Sequence, residues 1–208
     1  MLITRSLTFA YDQENAFHFP DISLDPGGDL LILGPSGIGK TTLLHLLAGL
    51  LSPNSGHIEL LGTVLNKLPT KKLDRFRGRH IGLVFQRPHF IQSLSLQENL
   101  ALVQYLTGEK QDQKRVRKIL SSLDIEDKRN KRPYSLSQGE QQRAAIAMAV
   151  LNNPQLILAD EPTASLDDKN CLSVVSLLKD QAAATNAQLV IITHDKRLKP
   201  HFKNCVTL

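Results

Sequence analysis

The chain has 208 residues, 41% hydrophobic and 22% charged, values ordinary for a folded soluble protein of one large domain or two closely joined lobes. No stretch approaches the roughly 18 consecutive apolar residues that span a bilayer, and residues 1–6 lack the basic-then-apolar pattern of a secretory signal, so the expectation is a cytoplasmic protein that does not cross a membrane by itself. Cys171 and Cys205 lie far apart and form no Cys-x-x-Cys pair, which argues against a metal or redox role. Cys171, with Val174, Val175 and Leu178 at helical spacing, reads as a small core residue.

Residues 2–9 and 16–24 read as strands, followed by the turn residues Pro26, Gly27 and Gly28. Residues 30–33 form a short continuous apolar run, the pattern of a strand buried on both faces. That run feeds a glycine-rich loop, and residues 41–50 read as a helix whose end is punctuated by Gly49 and Pro53. Further strands are predicted at 57–61 and 81–85.

From about residue 87 to 153 the pattern is mostly helical. Ser95 and Glu98 fit a capping box, and Leu96, Leu100 and Val103 give an apolar helical stripe after it. Residues 141–151 continue the helical content with alanine-rich sequence. Strand patterns resume at 156–158 and 189–192, with Asp167 or Asp168 placed to cap the helix between them. Alternating strands and helices imply an α/β core with a mainly parallel sheet, and the helical insertion implies a second lobe.

The formal net charge is +5. Basic residues cluster at Lys71, Lys72, Arg75, Arg77 and Arg79, at Lys114, Arg115, Arg117 and Lys118, and at Lys128, Arg129, Lys131 and Arg132. They fit either an anionic partner, such as nucleic acid or a membrane surface, or solvated helix faces, which is the favoured reading. No aromatic residues interleave with them as a stacking surface for bases requires, so nucleic acid is not expected.

The loop Gly34-Pro35-Ser36-Gly37-Ile38-Gly39-Lys40-Thr41, followed by Thr42, lies between a predicted strand and a predicted helix. Its glycines permit conformations that aim several backbone N–H groups at one point, and the helix places its positive dipole end there. Such a loop binds phosphate, with Lys40 on the β- and γ-phosphates and Thr41 on Mg²⁺ through its hydroxyl. It does not by itself distinguish a kinase, a GTPase or an ATPase. Asp160 ends an apolar strand and Glu161 follows at once. Two carboxylates at a buried strand end are costly unless paired or metal-bound. A metal ion and a catalytic water justify both, with Asp160 on Mg²⁺ and Glu161 as general base.

A third motif, Leu136-Ser137-Gln138-Gly139-Glu140, lies between these two. In this order the three resemble the Walker A, signature and Walker B motifs of the ATP-binding-cassette (ABC) family, and the resemblance covers nearly the whole chain. It implies a P-loop NTPase (RecA-like) core with a mainly parallel sheet, an N-terminal antiparallel β-region and an inserted α-helical subdomain. The core lobe would be 1–86 and 154–208, and the helical subdomain 87–153. By the same resemblance Tyr11 matches the aromatic that stacks on adenine, and Gln86 the glutamine that senses Mg²⁺ and the γ-phosphate. Ser165 and Asp167 match the D-loop, and His194 matches the switch histidine. His18, His45, His57, His80, His89 and His201 match nothing.

In that family the signature of one subunit faces the γ-phosphate held by another. The resemblance therefore implies a homodimer, or a dimer with a related ATPase, with ATP at the interface and a separate integral-membrane permease as partner. A cytoplasmic helix of the permease is expected near Gln86 and the following Arg87, Pro88 and His89. The chain departs from the family's commonest pattern at Gln138, Glu140 and Met148. The segments 158–163, 81–86 and 97–100, and the Glu140 signature, look most like the lipoprotein-releasing, macrolide-exporter and cell-division branch. Its members pair with four-helix permeases and transmit force to periplasmic domains. The alternatives are a conventional importer or exporter ATPase, a soluble ABC protein acting on DNA or ribosomes, and a regulator that binds nucleotide without hydrolysis.

Overall fold

The computed structural model describes residues 1–12, 16–164 and 167–208. Two sheets share the work. The first is antiparallel and is built on β1 (Leu2–Ala10), which pairs with β2 (Ala16–His18) and β3 (Ser23–Leu24) and with β5 (Ser55–Leu60). A two-residue strand, β6 (Thr63–Val64), pairs with β5. The single strand expected over 16–24 is thus two short ones. Pro20 brings no amide to the ladder, and Asp21 turns outward to accept from the Ser6 amide at 2.7 Å.

The second sheet is entirely parallel, in the order β10-β4-β9-β8-β7. Its strands are β4 (Asp29–Leu33), β7 (Ile81–Val84), β8 (Leu156–Asp160), β9 (Gln188–Thr193) and β10 (Asn204–Thr207). Alternate residues of β4, β8 and β9 enter two different cores. Leu30, Ile32, Leu156, Leu158, Val190 and Ile192 pack with α1 (Lys40–Leu47) and the antiparallel sheet. Leu31, Leu33, Ile157, Ala159, Leu189 and Ile191 pack with the helices α3 (Leu96–Leu106), α4 (Gln113–Ser122), α5 (Gln138–Val150) and α6 (Asp168–Thr185). Strands covered on both faces are continuously apolar, which is why the three central runs are visible in the sequence.

Helix α2 (Thr70–His80) has no buried residue, and only Leu73 and Phe76 pack against the core. The expected capping box opens α3: the Ser95 hydroxyl accepts from the Glu98 amide, and Glu98 Oε2 accepts from the Ser95 amide at 2.7 Å. Asp167 is the residue that caps α6, accepting from the Asn170 amide at 2.8 Å. Strand β7 and helix α5 lie flush. A Cβ on Gly82 would stand 2.3 Å from the carbonyl oxygen of Ala149, so only glycine fits there. Among the described residues no helix is long and apolar enough to cross a membrane.

The strand registers align the ends of the parallel sheet. Leu33 is opposite Thr193, Asp160 opposite Ile192, and Val84 opposite Ala159. Four strands therefore end together, and at the carboxyl ends of parallel strands the connecting loops open a crevice.

Candidate active site

The phosphate loop leaves β4 and enters α1. Gly37 and Gly39 have φ of +83° and +99°, a region side chains avoid. At Gly39 a Cβ would also stand 2.7 Å from the Phe17 ring. Gly39 caps α1 without a side-chain hydrogen bond, and the first turn has no acidic residue. The helix start thus presents its N–H groups and positive dipole end outward. Lys40 is only 6% exposed, and its ammonium donates to the carbonyls of Gly34 at 2.8 Å and Pro35 at 3.0 Å. These contacts hold the charge over the mouth of the loop.

Opposite the loop stand the ends of β8 and β9. Thr41 donates its hydroxyl to Asp160 Oδ2 at 3.0 Å. Asp160 Oδ1 is buried and has no hydrogen-bond partner among the described residues. Burial pushes the Asp160 carboxyl above the usual carboxylate range. An anionic Asp160 therefore wants a cation beside its free oxygen. Glu161 adopts φ +46°, strained for a side-chain-bearing residue. Its carboxylate accepts from the Thr193 hydroxyl at 2.7 Å and the His194 amide at 3.1 Å. His194 Nδ1 lies 3.0 Å from Glu161 Oε1, and Lys40 Nζ lies 3.6 Å from the same oxygen.

A cleft of about 410 Å³ gathers these groups. Tyr11, Ser36, Gly37, Gly39, Lys40, Thr41, Thr42, Gln86, Asp160, Glu161 and His194 line it, all singled out from the sequence. Gly34 and Pro35 act through their carbonyls on Lys40. Ile38 is exposed on the loop. Tyr11 stands at the lip, edge-on to Phe9 at 4.8 Å, with its hydroxyl 3.2 Å from that of Thr42. Sequence reasoning missed one residue that lines this cleft and one buried behind it. Phe17 lines it and packs under Gly39. Thr193 orients Glu161, and its signal was a hydroxyl ending an apolar strand one position before His194.

Residues 137–140 do not line this cleft. They begin α5, where Ser137 and Glu140 form a second capping box: the Ser137 hydroxyl accepts from the Glu140 amide at 3.3 Å, and Glu140 Oε2 accepts from the Ser137 amide at 2.7 Å. The Ser137 amide holds the Glu140 carboxyl below its ordinary value, helped by the Ser137 hydroxyl and by Lys128 at 3.5 Å. Gln138 is exposed. At Gly139 a Cβ would meet nothing within 4 Å, and its φ is not positive. Among the described residues nothing requires glycine there. Further along α5, Met148 is a partly buried packing residue, the role a flexible thioether suits. Gln142 is buried and donates to the Pro162 carbonyl at 3.2 Å, joining α5 to the segment after β8. Of the D-loop pair, Asp167 caps α6, and Ser165 lies outside the described residues.

Comparison with known proteins places the chain in a family. The family model described as "ABC transporter" matches residues 18–164. The chain is 38% identical over 181 residues to the lipoprotein-releasing system ATP-binding protein LolD of Psychrobacter arcticus, covering 86% of this chain and 80% of that one. The LolD protein of Bacteroides thetaiotaomicron is 37% identical over 86% of this chain and 83% of its own. Among solved structures, the dimeric bacterial ABC transporter cassette MJ0796 superposes with a TM-score of 0.89 at 31% identity, covering 100% of this chain and 94% of that chain. A post-hydrolysis dimer of the same cassette, bound to ADP and Pi, gives 0.88 at 30% identity, with the same coverage of both chains. On these matches the chain belongs to the ABC transporter family and is an ATP-hydrolysing subunit of it.

Proposed function

We propose that two copies of this chain, or one copy and a related ATPase, close on two ATP molecules, and that hydrolysis releases them to drive a separate membrane permease. The observation that carries this reading is the fixed carboxylate of Glu161. It is held by hydrogen bonds from Thr193 and His194 at the end of β9 and lies 3.6 Å from the ammonium that would meet the γ-phosphate. A carboxylate so oriented is placed to polarise an attacking water. In-line phosphoryl transfer then needs positioning and charge neutralisation, supplied by the loop amides and Lys40. Tyr11 offers its exposed ring to adenine. His194, in the cleft and 3.0 Å from Glu161, would contact the γ-phosphate.

The Thr41 hydroxyl and the free oxygen of Asp160, with Gln86 across the cleft, fit Mg²⁺. When bound it would neutralise phosphate charge. Without it, Thr41 and Asp160 hold each other in place.

The second half of each ATP site would come from Ser137, Gln138, Gly139 and Glu140 of the partner, with Ser165 and Asp167 at the same interface. The unneeded glycine at 139 supports this reading, because a group from outside the chain must approach closely there. Residues 87–153 would move as a helical subdomain against a core lobe of 1–86 and 154–208. The LolD relatives favour a permease of the lipoprotein-release type, contacted near Arg87 and His89, with this subunit on the cytoplasmic face of the membrane.

The test is Glu161→Gln. That variant is expected to lose turnover by about 100-fold or more while still binding ATP, and to double in mass on sizing with ATP. Captured from detergent-solubilised membranes, it is expected to bring down a four-helix permease. A variant that stays monomeric at saturating ATP would refute the shared-site reading.

A further inference from the structure

No residue of α2 lines the ATP cleft, yet its basic residues are arranged in one stripe. At about 100° per residue, Lys71, Lys72, Arg75 and Arg79 fall within one arc of about 100°. None of the four side chains has a hydrogen bond or ion pair among the described residues. The opposite side of the helix is used inward. Leu73 and Phe76 pack on the core, Arg77 donates to the Gly49 carbonyl at 3.0 Å and pairs with Asp74 at 2.7 Å, and His80 Nδ1 meets Gln155 Oε1 at 2.6 Å. Asp74, the single acid of this helix, is thereby spent on Arg77. The outward stripe carries four uncompensated positive charges.

The end of α3 lies against this helix. Gly78 of α2 passes so close to Thr107 that a Cβ would stand 3.0 Å from its methyl group, and a groove joins Arg75 and Arg79 to Tyr105 and Leu106. Tyr105 and Leu106 are 69% and 72% exposed, the most exposed large apolar side chains among the described residues. Neither completes the core. The basic cluster at Lys128 differs, since Lys128 is paired with Asp127 at 2.7 Å and Glu140 at 3.5 Å.

A stripe of free cations beside an exposed tyrosine and leucine is the composition that binds a lipid headgroup layer. Cations are drawn to anionic headgroups, a tyrosine ring sits at the interface, and a leucine enters the acyl boundary. We propose that the outer face of α2 and the end of α3 form a docking surface for the anionic headgroups of a membrane. This contact needs neither nucleotide nor dimer.

Co-sedimentation of the full chain with vesicles tests it. Binding is expected to vesicles of mixed phosphatidylglycerol and phosphatidylcholine at about 0.1 M salt, and not to pure phosphatidylcholine. At about 1 M salt it is expected to be lost. The variant K72Q/R75Q/R79Q is expected to lose about a hundredfold in vesicle affinity, and Y105S/L106S about tenfold. ATP hydrolysis measured on the same preparations should match wild type, which shows that the fold and the nucleotide site are intact and keeps this test separate from that of Glu161→Gln. Equal binding to neutral vesicles, or unchanged binding by the triple variant, would overturn the proposal. So would tighter retention of a single-stranded RNA or an acidic peptide than of the anionic vesicles.

Discussion

Gly139→Ala should make the isolated chain more stable and the ATP-bound pair much weaker. Gly139 is the second residue of α5, with a Cβ position that is empty to 4 Å and a φ outside the left-handed region. Alanine is better than glycine inside a helix by about 0.5–1 kcal/mol, and the first turn is the low end of that range. The expected gain of about 0.5 kcal/mol corresponds to about 1–2 °C in Tm for a chain of this size. The partner's nucleotide meets the opposite effect. A methyl group there holds the phosphate off the helix start and costs at least one charge-assisted hydrogen bond, about 1.5–3 kcal/mol, at each of two symmetric sites. The total of about 3–6 kcal/mol is a factor of about 10² to 10⁴ in the dimer Kd. The assay is a nucleotide-free melt, then sizing with ATP in the Glu161→Gln background. A lower melting temperature would show that glycine serves the monomer after all. A dimer as tight as that of Glu161→Gln alone would mean that no phosphate needs the space beside Gly139.

Gly82→Ala is expected to destabilise the protein by about 2–3 kcal/mol, because the new Cβ would fall 2.3 Å from the Ala149 backbone oxygen and one element must shift. A drop of about 6 °C or more in Tm checks this, and an unchanged melt would contradict the packing. Asp195 caps the turn after β9, accepts from Arg197, and is held below the usual carboxylate range by that guanidinium. Because the folded value is depressed, its contribution is present above the ordinary aspartate range and is lost as pH falls through the folded value. Wild type should therefore lose up to about 1 kcal/mol more than Asp195→Asn on acidification, the low figure reflecting the exposed Arg197. Parallel acid melts of the two proteins would show it.

The parts legible in the sequence were those where one physical requirement dominates. The central strands β4, β8 and β9 are buried on both faces and had to be continuously apolar. The cleft was legible because binding phosphate needs glycine, lysine and hydroxyl at fixed spacing, whatever the surroundings. What escaped had weak local signals. Helix α2 buries nothing and so lacks an apolar stripe, while β10 is a short edge strand that is mostly polar and exposed. The Ser137–Glu140 box repeats the Ser-x-x-Glu pattern at Ser95, but it coincides with the signature motif, so one run of residues carries two signals. Phe17 reaches the site only through tertiary packing, which no spacing along the chain encodes, and Thr193 is marked only by its place before His194 at the end of an apolar strand.

The close seating of Gly82 against Ala149 makes the strand leading to Gln86 and the helix beginning at Ser137 a mechanical lever. Ala149 lies near the far end of α5, twelve residues from Ser137, which at 1.5 Å per residue is an arm of about 18 Å. A rotation of about 10° about the fulcrum sweeps the signature end through about 3 Å, enough to carry a hydrogen-bond donor out of reach of a phosphate oxygen. If the signature end meets the other subunit's nucleotide as proposed, small changes where β7 ends would be read out there as large ones, and a glycine with no room for a methyl group would be the bearing on which that motion turns.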